Sequence, residues 1–257
     1  MTPAAGGTAC EILDVTDSTN AEALRRAAVG ETGPLWLLAR RQTAGRGRRG
    51  RAWSMPAGNF AATLLFRPDR APAQRSFVAA LALFDALGQA TGRYALFGLK
   101  WPNDVLLSGG KVAGILLEGA PNGALAIGFG VNLAEAPDPA DLEPTAVRPT
   151  SLATGAEVCP TPEEFLSLLA PAYAAWEARF LAEGFAPIRE AWLARASGVG
   201  EGIVARLPHR TLTGRFETVD PQGSLVIVTA TGRETLPAAD VHFLPHHEGA
   251  PGHAPRG

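Results

Sequence analysis

The chain has 257 residues, 46% of them hydrophobic and 19% charged, with a formal net charge of −2. It is long enough for one large domain, or one of ordinary size with a small companion. Charge so near balance excludes a dedicated polyanion binder, which needs a basic face and not one short basic loop. Cys10 and Cys159 are the only cysteines and stand in no metal or redox spacing, so two free thiols in a reducing, cytoplasmic compartment are expected. No apolar run approaches the ~20 residues of a membrane span, and residues 1–10 have neither the basic nor the apolar part of a signal peptide.

In chain order, Thr19-Asn20-Ala21-Glu22 reads as a capping box opening a short helix with Leu24 and Ala28 inward, closed by Gly30. Asp17 and Ser18 then sit at a helix N-terminus. Residues 35–39 and 61–66 read as buried strands either side of a long connection. Phe77, Leu81, Phe84 and Leu87 recur at helical spacing within residues 72–92. Residues 105–107 and 112–118 flank Ser108-Gly109-Gly110 as a hairpin, and residues 124–133 add a strand.

Thr161-Pro162-Glu163-Glu164 supplies an N-cap, a proline at the first helical position and a capping-box acid for a long helix, expected to kink at Pro171. A second helical stretch with Ile188, Trp192 and Leu193 ends near Ser197-Gly198. Beyond it come short β-like runs at 203–207, 211–219, 224–228 and 233–236, separated by turns at Asp220-Pro221-Gln222-Gly223 and Thr231-Gly232. The expectation is an α+β protein: a mixed, largely antiparallel sheet flanked by helices over residues 1–198, a small β-barrel over 199–246, and a disordered tail over 247–257.

The connection after residue 39 holds Gly45-Arg46-Gly47-Arg48-Arg49-Gly50-Arg51, four arginines and three glycines in seven residues. Like charge so concentrated repels itself unless an anion lies among it. Arginine forks and glycine-freed backbone N–H groups suit phosphate or carboxylate oxygens; the plain alternative is a solvated basic loop. The glycines fit G-x-G-x-x-G, but the dinucleotide fingerprint needs a helix to begin there, and Met55-Pro56 and Ala57-Gly58-Asn59 show no helical period. Gly109-Gly110-Lys111-Val112 likewise lacks the Ser or Thr that follows lysine in a phosphate-binding P-loop.

Residues 127–133 alternate clearly. Gly128, Gly130 and Asn132 share one strand face, and Ile127, Phe129, Val131 and Leu133 the other. A face stripped of side chains suits either a flat ligand touching Asn132 or close packing by a helix. Of 23 basic residues only Lys100 and Lys111 are lysine. Biased codon usage accounts for the general skew, yet both survivors lie in one stretch, as expected where a compact ammonium is required and a guanidinium fork does not fit. Lys100-Trp101-Pro102-Asn103-Asp104 stands at the mouth of an apolar strand, with Lys111 across the hairpin. Asp104 is a candidate magnesium ligand beside phosphate oxygens, or part of a self-bonded turn. The five histidines lie at or beyond His209 and offer no helix-spaced metal pair.

Taken in order, Asp17-Ser18-Thr19-Asn20, Gln42-Thr43-Ala44, residues 45–53 ending in Trp53, Lys100-Trp101-Pro102-Asn103-Asp104, residues 110–116 and residues 128–133 closely resemble the biotin protein ligases. The resemblance implies a class II synthetase-like catalytic domain and an SH3-like C-terminal barrel. It implies an enzyme that joins biotin to ATP as biotinyl-5′-adenylate, with magnesium, and passes the biotinyl group to a lysine of a biotin carboxyl carrier domain. By the same resemblance Lys111 and Arg48 are catalytic, touching biotin carboxylate and α-phosphate. Ser18, Thr19, Asn20 and Gln42 bind the ureido ring, Gly114 and Gly128 admit the bicycle, and Gly45 and Arg46 complete the biotin site. Arg46, Arg48, Arg49 and Arg51 serve ATP, Trp53 stacks near adenine, and Asn103 and Asn132 contact the nucleotide.

Strict alternation puts Lys111 and Gly114 on opposite faces, so a bulge between them, or backbone contact through Gly114, is required. The match begins by Asp14, leaving no room for the DNA-binding helix-turn-helix of some family members, so no DNA partner is expected; a homodimer is compatible with the sequence. Two rivals stand beside this reading. A lipoate-protein ligase resembles the same fold and chemistry, though the arginine loop followed by Trp53 favours biotin. An RNA-binding module would want stacking aromatics and a wider basic surface.

Overall fold

The computed structural model describes residues 2–3, 7–138, 147–237 and 239–244, and the tail expected at 247–257 lies outside them. β1 (Thr2–Pro3), β2 (Ala9–Leu13), α1 (Thr19–Ala28), β3 (Leu35–Ala39) and β4 (Phe60–Phe66) are followed by α2 (Arg75–Thr91). β5 (Phe97–Lys100), β6 (Asp104–Leu107), β7 (Gly110–Gly119) and β8 (Leu125–Val131) complete an eight-stranded sheet in the order β1-β2-β3-β4-β8-β7-β6-β5. Only β2 and β3 pair in parallel. The mixed, largely antiparallel sheet expected from consecutive hairpins is therefore present.

One face is a row-by-row apolar surface. Ile115, Phe129, Ala62 and Leu38 align across four strands, and all are buried. On it lie α2 and α4 (Pro162–Glu183), preceded by α3 (Leu152–Ala156) and followed by α5 (Phe185–Leu193). Trp36 and Phe129 rings are 5.5 Å apart, and Tyr173 of α4 meets both edge-on, the geometry the aromatic quadrupole prefers. Gly92 ends α2 in the left-handed conformation, φ 67°, open to glycine without strain. Thr161 and Glu164 form the expected reciprocal capping box, and α4 is the expected long helix, 22 residues with Pro171 inside it.

The opposite face has small residues at its centre. α1 covers one end through Ala23 and Ala27, against Leu35, Leu37, Leu65 and Ala126. Its N-cap is Ser18, one residue before the position expected, and Ala28 points outward. Glu22 reaches Arg25 and Arg26 and so does not close a capping box. The β6–β7 turn is the predicted hairpin, with Ser108 and Gly109 at φ 48° and 84°, both positive as a primed two-residue turn requires. Val105 pairs with Ala113 but Leu106 with Lys111, leaving Val112 as an extra residue. Of the two alternatives this is the bulge, and it puts Lys111 and Gly114 on one face.

β9 (Gly202–Arg206), β10 (Thr211–Val219), β11 (Leu225–Thr229), β12 (Gly232–Leu236) and β13 (Asp240–Phe243) form a separate antiparallel sheet in the order β12-β11-β10-β9-β13. A register shift between Phe216 and Thr218 bends β10, as bulges do in small curled sheets. β13 was not foreseen from the sequence pattern. It pairs with β9, Asp240 opposite Arg206. Leu99 N–H donates to Arg195 O just after α5, 2.8 Å, and the two sheets are tied by Trp101 Nε1 donating to Gly223 O in the β10–β11 turn, 3.2 Å. Among the described residues no helix is long and apolar enough to cross a membrane.

Candidate active site beneath the arginine loop

A trough of about 780 Å³ runs over the small-residue face, roofed by residues 42–56 and walled by β13. One row of aligned residues makes its floor: Lys100, Asp104, Gly114, Gly130 and Ala61. Charge is thus gathered at the β5–β6 end, and the centre is bare backbone. Every residue given a binding or catalytic role from the sequence lines the trough except Arg49.

The end nearest α1 is a network of amide and hydroxyl hydrogen bonds closed by the Glu118 carboxylate. Thr19 donates to Gln42 Oε1 from its backbone N–H, 2.8 Å, and hydroxyl, 3.1 Å. Thr63 Oγ1 of β4 lies 2.8 Å from Thr19 Oγ1 and 2.6 Å from Asn20 Oδ1. Asn20 Nδ2 donates to Glu118 Oε2, 2.9 Å, and Leu116 O, 3.2 Å. A Cβ on Gly128 would stand 2.3 Å from Asn20 Oδ1, so only glycine fits opposite that amide. The helix cap at Ser18 holds the segment in place through Ala21 N–H. A self-satisfied set of amide and hydroxyl groups can recognise a neutral polar ring by exchanging these partners for the ligand's own.

The arginine loop is closed on itself. Trp53 N–H donates to Gly45 O, 2.9 Å, and Gly47 N–H to Arg51 O, 2.7 Å. A Cβ on Gly45 would come 2.5 Å from Trp53 O, which explains the first glycine. Its four guanidinium groups divide. Arg48 approaches Asn103 Oδ1 at 3.4 Å, and burial pushes its pKa down despite the Asp240 and Asp104 charges. Arg46 reaches Glu118 at 3.4 Å. Arg49 and Arg51 both pair with Asp240 of β13, Arg51 at 2.9 Å. The cage expected around one anion is therefore held partly by the protein's own carboxylates, and Arg49 faces the second sheet.

Trp53 lies over the bare glycines, and a Cβ on Gly130 would stand 2.4 Å from its ring. The flat group on that surface is thus a side chain of the protein. Lys111 Nζ is 5.7 Å from the Trp53 ring centroid and 2.7 Å from Asp104 Oδ1. Burial alone would raise the Asp104 carboxyl, but the Lys111 and Lys100 charges override it and hold it below the usual range. With Lys111 on one oxygen and Lys100 3.9 Å from the other, Asp104 is an ion-pair partner and does not fit as a magnesium ligand. Among the described residues no three His, Cys, Asp or Glu side chains gather as a metal site. Asn132 is buried, its amide donating to Thr150 O at 3.0 Å, while Asn103 Nδ2 donates to Ile115 O.

Sequence reasoning missed Thr63, Glu118 and Asp240. Thr63 sits in an apolar run, and Asp240 lies about 190 residues from the loop it holds, so neither carries a local signal. Glu118 ends a strand that was foreseen; its inward turn was the unused clue.

Residues 12–132 match the model of the biotin/lipoate A/B protein ligase family, and residues 198–244 that of the biotin protein ligase C-terminal domain. A biotin--[acetyl-CoA-carboxylase] ligase of Paracoccus denitrificans is 57% identical over 239 residues, 90% of this chain and 99% of that protein. The bifunctional ligase/repressor BirA of Bacillus subtilis is 30% identical over 90% of this chain and 72% of its own. A solved biotin protein ligase from Aquifex aeolicus, in complex with biotin and ATP, superposes with a TM-score of 0.80 at 25% identity, over 92% of this chain and 99% of that one. With a near full-length relative at that identity and both sheets matched, the chain is an enzyme and belongs to the biotin protein ligase family.

Proposed function

We propose that this enzyme adenylates biotin with ATP in the trough and transfers the biotinyl group to one lysine of a biotin carboxyl carrier domain. The observation that carries this reading is the division of one trough into an end of amide and hydroxyl hydrogen bonds and an end where cations gather. Thr19, Asn20 and Gln42 at the first suit an uncharged ureido ring. Lys111, Arg48 and Arg51 at the second suit a carboxylate and phosphates, while Arg46 joins Glu118 beside Asn20 at the first. The names of the Paracoccus and Aquifex proteins supply biotin, ATP and the carboxylase acceptor.

A biotin carboxylate oxygen attacks the α-phosphorus, the bond to the bridging oxygen breaks, and pyrophosphate leaves. Two anions must meet, so cations offset their repulsion and fix the line of attack; positioning of this kind can supply about 7–11 kcal/mol. Lys111 and Arg48 neutralise charge at the reacting centre, Arg51 holds the outer phosphates, and Arg46 borders the biotin end beside Glu118. Magnesium, carried on the ATP phosphates, would add to that charge neutralisation. In the second step the neutral lysine amine of the carrier attacks the acyl carbon and AMP departs. Trp53 and the loop shield the mixed anhydride from water meanwhile. Residues 1–198 act as the catalytic domain and 199–246 as a C-terminal domain that steadies the loop, in the cytoplasm, where Cys10 and Cys159 stay unpaired.

Biotin-dependent exchange of labelled pyrophosphate into ATP tests the first step. Mass gain on a single lysine of an added carrier domain tests the second. Exchange with lipoate and none with biotin would overturn the substrate assignment.

A further inference from the structure

The chain's two lysines, Lys100 and Lys111, converge on one carboxylate, and only one of them has a place in the reaction so far. Lys100 stands directly opposite Asp104 across the β5–β6 ladder. Its side chain is 6% exposed, whereas Lys111 is 30% exposed and meets Asp104 at 2.7 Å. Lys100 keeps 3.9 Å from Asp104 Oδ2, and its Nζ is 6.0 Å from the centroid of Phe243, a ring of the second sheet. Burial drives its pKa down, with the Asp104 charge opposing. An ammonium so deep, with a loose ion pair and one aromatic face, contributes little stability. A methyl-ended side chain of the same length would serve the core at least as well.

Counting charge gives the ammonium a purpose. Asp104 with Lys111 alone is a neutral pair, and a lysine so compensated has little field to offer an arriving anion. Lys100 makes the cluster net positive from below, where solvent cannot screen it. We propose that Lys100 is a positioning residue for adenylation: it offsets Asp104 from the buried side, so that the Lys111 charge at the trough floor remains available to the carboxylate and α-phosphate. An arginine would not fit the enclosed position, consistent with lysine persisting in a chain that otherwise uses arginine.

This inference rests on the biotin-adenylating reading, which wild-type pyrophosphate exchange tests by itself. The decisive comparison is K100M against the double variant K100M/D104N, each measured for exchange at saturating biotin and ATP, with thermal unfolding followed in parallel. K100M is expected to fold and to lose about 30-fold or more in kcat with a smaller change in the biotin KM. Removing the Asp104 charge as well should restore at least tenfold of that loss, because Lys111 is no longer compensated. A purely structural role predicts no such rescue. K100M within twofold of wild type, or a double variant no more active than K100M, overturns the proposal. If K100M fails to fold, the double variant decides alone: activity within tenfold of wild type supports the role, and loss beyond that overturns it.

Discussion

Lys111 concentrates the chemistry of the trough in one ammonium between Asp104 and the Trp53 ring. Truncating it should slow adenylation by roughly 3–4 kcal/mol, as removal of a preorganised charge-stabilising donor does; single-turnover pyrophosphate release measures this, and a rate within threefold of wild type would remove Lys111 from the mechanism. The glycines make different demands. Gly128→Ala would push aside the Asn20 amide, 2.3 Å from the new methyl, and should weaken biotin binding about 10- to 100-fold in calorimetry, the equivalent of one or two hydrogen bonds. Gly130→Ala meets Trp53 instead and should raise the KM for ATP while leaving biotin affinity largely intact.

At the scale of the element, α1 and α4 show two ways of fixing a helix. The α4 capping box is exposed and remote from the trough, so Thr161→Ala should cost about 1 kcal/mol in urea unfolding with exchange activity unchanged. α1 is braced by Arg26, which pairs with Glu11 at 2.7 Å and Glu22 at 2.9 Å. Those hydrogen bonds outweigh burial and hold both carboxyls below their ordinary range. Depressed carboxyls stabilise the folded state above the unfolded value of about 4.3 and cease to do so as pH falls through the folded values. Arg26→Met should therefore melt lower than wild type at pH 7, and the two melting curves should converge as pH falls through the lowered folded values of Glu11 and Glu22; a gap that persists in acid would assign the effect to lost packing.

Across the whole molecule, Asp240 is the point where the second sheet holds the arginine loop of the first. Partly exposed pairs contribute little to stability, so Asp240→Asn should leave the melting temperature nearly unchanged. It should, however, make the loop a several-fold better trypsin substrate without ligands, with biotin and ATP restoring protection to both proteins. Equal digestion rates would show that the loop's own closure through Gly45 and Gly47 suffices. The strand periods, the α4 cap, the hairpin turn and the arginine loop were legible because each is written in neighbouring residues. Alternation left a bulge between Lys111 and Gly114 or backbone contact through Gly114 as alternatives, and Val112 supplies the bulge. The α1 cap lies one residue earlier than expected because Glu22 stands at capping-box spacing from Thr19, whereas in the fold Glu22 pairs with Arg25 and Arg26 and Ser18 takes the cap.

By itself the sequence determined the family, the cation-rich loop and the glycine-bare strand face, since these depend on residue type and short spacing. Tertiary structure alone decided which carboxylate each cation meets: Asp104 between two lysines, Glu118 on Arg46, and Asp240 drawing Arg49 and Arg51 across to another sheet. Electrostatic partnership depends on distance through space, and a chain folded into two sheets sets that distance by registers and crossings that no local pattern contains.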